Sequence, residues 1–204
     1  GEGPWESISL YANSTVSNSI VYNDYAYGIA VWSGNPLIKN TTITGTNASE
    51  DGIAVYGGNP TIDSSNVKGF TNGGRSGVSV SGGAPVISNS IIDQNDTGIS
   101  IAVVSPTVTN NTITNNLTGV AVTQDVTTAP TINYNNIFCN SDSDLNVSVI
   151  TAVPAIDVSN NSWDHAPPVT ASPGAFPCPT GTDICFTGLP PVFTGYAIVP
   201  SPCP

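Results

Sequence analysis

The chain has 204 residues, with 3 Lys+Arg against 14 Asp+Glu and a formal net charge of −11. Nucleic acid and anionic membrane surfaces are therefore poor partners, because both are held by basic patches that this composition does not supply. Charged residues make up only 8%, so solubility rests on Asn, Ser, Thr and Gly, a balance expected of an exported protein. No run of about 18 apolar residues is present to span a bilayer. Met is absent even at position 1, so Gly1 is expected to follow a cleaved signal or a trimmed boundary.

Residues 1–27 read as an atypical first coil of a repeat. Ile8, Ser9, Leu10 and Tyr11 align with Ile29, Ala30, Val31 and Trp32, and Val16, Asn18 and Val21 align with Ile38, Asn40 and Ile43. Terminal repeats diverge because one of their faces must close the core. Trp5 is expected to act as a lid on that end.

Residues 28–137 carry the regular repeat. It opens with GIAV, GIAV, GVSV, GISI and GVAV, whose glycines Gly28, Gly52, Gly77, Gly98 and Gly119 stand 24, 25, 21 and 21 residues apart. Each opening leads into a second run: NPLIKNTTI, NPTIDSSNV, APVISNSII, SPTVTNNTI and APTINYNNI. The alternation has period 2 and no 3.6-residue stripe occurs, so short strands are predicted rather than helices. Such a unit cannot bury its apolar face alone. Stacking sets Ile29, Ile53, Val78, Ile99 and Val120 above one another, and Val31, Val55, Val80, Ile101 and Val122 likewise, with the strand spacing of about 4.8 Å as the rise per coil. The predicted fold is all-β: a right-handed parallel β-helix (solenoid) of about seven coils, the hand following from that of parallel crossovers. A column of Asn18, Asn40, Ser64, Asn89 and Asn110 is placed at a tight bend where αL geometry is tolerated. Insertions at 45–51, 69–76, 93–96, 114–116 and 140–144 all fall on one edge.

Residues 138–163 read as decaying coils, so residues 1–163 form the solenoid. Residues 164–204 read as an extended Pro-rich C-terminal tail whose prolines break any regular ladder. Of the four cysteines, Cys139, Cys178, Cys185 and Cys203, three lie in this tail. An even number suggests two disulfides in an oxidising compartment. Three connectivities are possible and sequence alone does not choose. Cys178–Cys185 with Cys139–Cys203 is preferred, because it would staple the tail back to the coil.

The pattern G-[IV]-x-[VI]…P-x-[IV]-x-[NS]-x-x-[IV] resembles the right-handed parallel β-helix repeats of the pectin-lyase-like superfamily, in the short Asn-rich form of surface and periplasmic proteins. The resemblance covers roughly residues 6–163. It implies a fold and leaves the function open, since the same coil carries lyases, hydrolases, adhesins and structural proteins. Lyases of this kind use a Lys or Arg base beside Ca²⁺-binding carboxylates, and hydrolases a cluster of Asp. Here the basic residues are Lys39, Lys68 and Arg75, with one histidine, His165. Lys39 and Asp63 read as a cross-strand ion pair. No catalytic residues, cofactor or metal are therefore expected. Asp142 and Asp144, or Glu50 and Asp51, could offer oxygens to Ca²⁺, but a solvated turn is the simpler reading.

The outward feature with the most to offer is the column Tyr11, Trp32 and Tyr56, beside a stripe of small residues that includes Ala30 and Ala54. Such a face can stack sugar rings or be covered by protein. Asn47, Asn95 and Asn116 are candidate glycosylation acceptors on the loop edge, whereas Asn40 and Asn110, also in sequons, are expected to be inaccessible. The function expected is that of a non-catalytic extracellular structural protein, a self-associating surface or filament subunit whose tail packs on its own or a neighbouring solenoid. Carbohydrate binding by the aromatic column is the alternative, and a polysaccharide-active enzyme the second.

Overall fold

The computed structural model describes residues 7–46, 49–102, 104–123, 128–149, 155–171, 178–179, 181–188, 190–198 and 203. They form a parallel β-solenoid of about six turns, built from three sheets. Among the described residues there is no helix long and apolar enough to cross a membrane. Trp5 and Asn47 lie outside the described residues.

Each regular coil supplies three short strands. In one coil these are Ile29–Val31, Leu37–Lys39 and Thr42–Thr44, and in the next Ile53–Val55, Thr61–Asp63 and Asn66–Lys68. Every strand pairs in parallel with its equivalent one coil away, as in Ile29↔Ile53, Ile38↔Ile62 and Ile43↔Val67. The first sheet gathers the GIAV-type runs. The second run of each repeat is split between the second and third sheets by a residue with positive φ: Asn18, Asn40, Ser64, Asn89, Asn110 and then Tyr134. The predicted bend column is thus present, and most of its members are the residue types that tolerate αL geometry.

Four apolar side chains per coil point inward. Ile99, Ile101, Val108 and Ile113 are one such layer, all fully buried, and the layers above and below repeat it. The opening glycines keep the entry to the first sheet tight. A Cβ on Gly52 would lie 2.5 Å from the carbonyl oxygen of Gly77 and 2.7 Å from the Phe70 ring, so no side chain fits there. Phe70, fully buried, fills that corner.

Polar ladders line two corners, and they are displaced by one residue from the column expected. The αL residues themselves face out, and Asn40 and Asn110 are exposed, which corrects the expectation that they would be inaccessible. The residue after each αL position turns inward. Thr41 N–H donates to Ser65 Oγ (3.2 Å), Ser65 N–H to Ser90 Oγ (3.1 Å), Ser90 N–H to Asn111 Oδ1 (3.0 Å), and the chain continues through Asn135 to Asn161. At the corner leading back to the first sheet, Phe70 N–H donates to Asn95, Asn95 N–H to Asn116, and Asn116 N–H to Asn140. Each side chain pairs a backbone group that would otherwise be buried without a partner.

The C-terminal segment continues the sheets, contrary to the expectation that its prolines would break every ladder. Ile184–Gly188 pairs in register with Ser143–Val149 (Leu145↔Ile184, Val147↔Phe186), Thr170–Ala171 adds beyond it, and Ala197–Ile198 pairs with Ser162–Trp163. Among the described residues, Pro167, Pro168, Pro179, Pro190 and Pro191 fall between these short strands. The disulfides are Cys139–Cys203 and Cys178–Cys185, the preferred connectivity.

Candidate functional site

Tyr11, Trp32 and Tyr56 each follow the last residue of a first-sheet strand, Leu10, Val31 and Val55, which are in register. Stacked strands therefore stack the rings. Trp32 and Tyr56 have centroids 4.5 Å apart with planes 17° from parallel, and Tyr11 and Trp32 are 6.3 Å apart at 11°. The rings stay open to solvent, with Tyr11 65%, Trp32 43% and Tyr56 38% exposed. In the next coil the equivalent position is Ser81, which ends the column.

Ala30 and Ala54 were expected to lie open beside these rings, and instead both are 1% exposed. Tyr27 explains this. Tyr27 precedes Ile29 and Tyr56 follows Val55, so their backbones are separated by roughly 16 Å along the strand direction at about 3.3 Å per residue. Their ring centroids are nonetheless 5.9 Å apart, edge to face. Both rings must lean inward over the two alanines. Burial, then the hydrogen bond to Tyr27, pushes the Tyr56 hydroxyl well above the usual phenol range. The reachable surface is thus aromatic from Tyr11 to Tyr27, with the alanines as its floor.

One flank of this surface is charged. Glu50 forms an ion pair with Arg75. Asp51 Oδ1 accepts Ser76 N–H at 2.7 Å, and burial holds the Asp51 carboxyl above the usual carboxylate range. The loop edge that carries Glu50 and Arg75 is the one that the insertions mark. Lys39 and Asp63 pair at 3.2 Å, as expected, on the second sheet. Asn89 Nδ2 also donates to Asp63 (2.8 Å), and that hydrogen bond, ahead of Lys39, holds the Asp63 carboxyl below its usual range.

Two of the glycosylation candidates are misplaced by the sequence reading. Asn95 and Asn116 are buried, and their amides are spent in the ladder: Asn95 Nδ2 donates to Asn116 Oδ1 (3.0 Å) and Asn116 Nδ2 to Asn140 Oδ1 (2.9 Å). The αL residues before them, Gln94 and Asn115, take the outward position.

The reading of Asp144 as part of a solvated turn is also corrected. It belongs to the strand Ser143–Val149 and is 2% exposed. Its carboxyl groups with those of Asp164 and Asp183, each offering an oxygen within 4.8 Å of the others. Burial pushes the Asp144 carboxyl up to about 9. His165 Nδ1 lies 3.1 Å from Asp183, while half of the His165 side chain is in solvent. Asp164 also lies near Cys139 and Cys203, but the disulfide leaves those sulfurs no thiolate to offer a metal.

Nothing among curated proteins matches the chain, and no solved structure does. Residues 5–170 match the model of a family described as "Protein of unknown function (DUF1565)", and the chain belongs to that family.

Proposed function

We propose that this protein is a non-catalytic carbohydrate-binding β-solenoid that takes a glycan across Tyr11, Trp32 and Tyr56. The parallel solenoid is compatible with a structural or a carbohydrate-binding role, and one observation favours the second: a column of exposed, nearly parallel rings on a flat sheet face, with Glu50 and Arg75 at its flank. A pyranose ring offers C–H groups to the negative face of an aromatic ring and hydroxyls to charged neighbours, and this surface supplies both. Since Trp32 and Tyr56 stack at 4.5 Å, much of their facing surface is already covered. Tyr11, the most exposed of the three at 65%, keeps its ring freest for a sugar.

The non-catalytic part of the reading rests on side chains already committed. Lys39 and Arg75 are held in ion pairs, and the carboxylates that converge lie at the other end of the solenoid, two of them buried. Two disulfides support an exported protein, since such bonds persist in oxidising compartments. The coil is taken as right-handed on the general rule for parallel crossovers.

A glycan panel read by binding and by Trp fluorescence tests the proposal. A ligand that quenches the wild type and binds the Trp32→Ala variant at least tenfold more weakly, with its melting temperature unchanged, is the expected result. Equal binding by both proteins would refute it.

A second reading, self-association, is favoured by the N-terminal end. Ile8, Ile20 and Tyr22 are exposed there around a cavity of about 420 Å³ that Val21 and Tyr27 also line. Mass by light scattering that rises with concentration, and falls to the monomer value in Ile20→Asp, is the outcome that reading requires.

A further inference from the structure

The register of the first sheet places Asp144 and Asp183 where the regular coils have glycine. Val120 pairs with Leu145 and Leu145 with Ile184, so the residues before them, Gly119, Asp144 and Asp183, are successive members of one column. In the regular coils this position has no room for a side chain. A Cβ on Gly119 would lie 2.4 Å from the Asp144 carbonyl and 2.8 Å from Asn140 Nδ2. On Ser143–Val149 and Ile184–Gly188 the same inward corner instead receives two carboxylates from neighbouring strands, and Asp164 brings a third from the corner of the third sheet.

The amide ladder ends on this group. Asn95, Asn116 and Asn140 each pass a hydrogen bond toward the C-terminal end, and Asn140 Nδ2 donates to Asp144 Oδ1 at 2.8 Å. Asp144 Oδ2 is then left buried with no hydrogen-bond partner among the described residues. Asp183 is buried too, held by His165 Nδ1 and by the Val169 N–H. Asp164 Oδ2 accepts Cys139 N–H at 3.0 Å. Three carboxylates this close, two of them out of water, repel one another, and a single imidazole at Asp183 cannot balance them. An orphaned carboxylate oxygen facing two more carboxylates lacks a positive partner.

We infer that Asp144, Asp164 and Asp183 form a site for one divalent cation, Ca²⁺ by size, which locks the C-terminal strands onto the solenoid. Ca²⁺ takes oxygens at about 2.3–2.6 Å, so oxygens across the ion stand up to roughly twice that distance apart, and the 4.8 Å limit within this trio suits it. The three ligands come from three successive passes of the chain, beside the Cys139–Cys203 disulfide. The cation is therefore a second fastener for the same segment. The inference does not depend on the carbohydrate reading, because the site lies away from the aromatic face.

The test uses the full chain, stripped with EDTA and returned to CaCl₂ or MgCl₂, with native mass spectrometry and thermal melts. Expected are one bound Ca²⁺ per chain and a melting temperature raised by about 5–10 °C at a hundredfold excess over Kd. Asp144→Asn keeps an oxygen for Asn140 and removes the charge, so it is expected to fold, lose the bound ion and lose the shift. Asp164→Asn, at a less buried position, is a second variant with the same expected loss. Asp96→Asn, far from the trio, should bind as the wild type does. No stoichiometric Ca²⁺ in the wild type would overturn the inference, leaving a carboxyl trio that shares a proton. Unchanged uptake by both Asp144→Asn and Asp164→Asn would overturn it as well.

Discussion

The two ends of the solenoid use one geometric fact for opposite purposes. Parallel strands in register place like residues above one another, at about 4.8 Å. Over the first three coils this aligns Tyr11, Trp32 and Tyr56 on the outside, where the rings are open to solvent. At the C-terminal end it aligns polar side chains on the inside, where the ladder from Asn95 ends on Asp144, one strand away from Asp183. An outward column changes what the protein can touch and hardly affects whether it folds. An inward column does the reverse, because every member must match the one beside it.

Substitutions along the inward columns test this contrast. Ile99→Ala empties a fully buried position in the middle of the stack. It should cost about 2–5 kcal/mol in chemical denaturation, and a loss under 1 kcal/mol would mean that the coils repack freely. Replacing both Cys139 and Cys203 by serine frees a loop of 64 residues in sequence and should lower stability by about 2–5 kcal/mol. If the C-terminal strands alone loosen, hydrogen exchange would show it at Ile184–Gly188 before the central coils. Asn116→Ala leaves the Asn95 N–H and side chain without their acceptor. A loss of about 1–3 kcal/mol is expected from that buried gap.

The smallest expected effect is at Asp63, on the exposed second-sheet face. Its folded carboxyl lies below the usual range, held there by Asn89 and then by Lys39. The stabilisation is therefore present above the ordinary carboxylate range and lost as pH falls through the lowered value. Asp63→Asn should cost less than about 1 kcal/mol at neutral pH, and the difference from wild type should vanish in acid. A gap that persists at low pH would assign the effect to packing instead.

How far the sequence could be read follows from where the period of two holds. Inside strands it holds, so the columns from Ile29 to Val120 and from Val31 to Val122, and the Lys39–Asp63 pair, were legible from the repeat. At corners an αL residue interrupts the alternation. Inward and outward positions then slip by one, which is why Asn95 and Asn116 read as surface and Asn40 and Asn110 as interior. Ala30 and Ala54 were read onto the right face, but no local pattern reveals that Tyr27 and Tyr56 lean over them. The C-terminal strand was missed for another reason. Ile184 and Phe186 repeat the apolar alternation of Leu145 and Val147, yet Asp183 stands where the repeat has its glycine, and prolines surround it. That same departure from glycine, together with Asp144, was the available signal for the acidic trio.

The most direct measurement is a calorimetric titration of the strongest glycan from the panel into the wild type and into Tyr11→Ala, Trp32→Ala and Tyr56→Ala. The account predicts at least tenfold weaker binding for Tyr11→Ala and Trp32→Ala, a smaller loss for Tyr56→Ala, whose ring face is already covered by Trp32, and four proteins that melt within a few degrees of one another. Affinity unchanged across all four proteins would place the ligand elsewhere and contradict it.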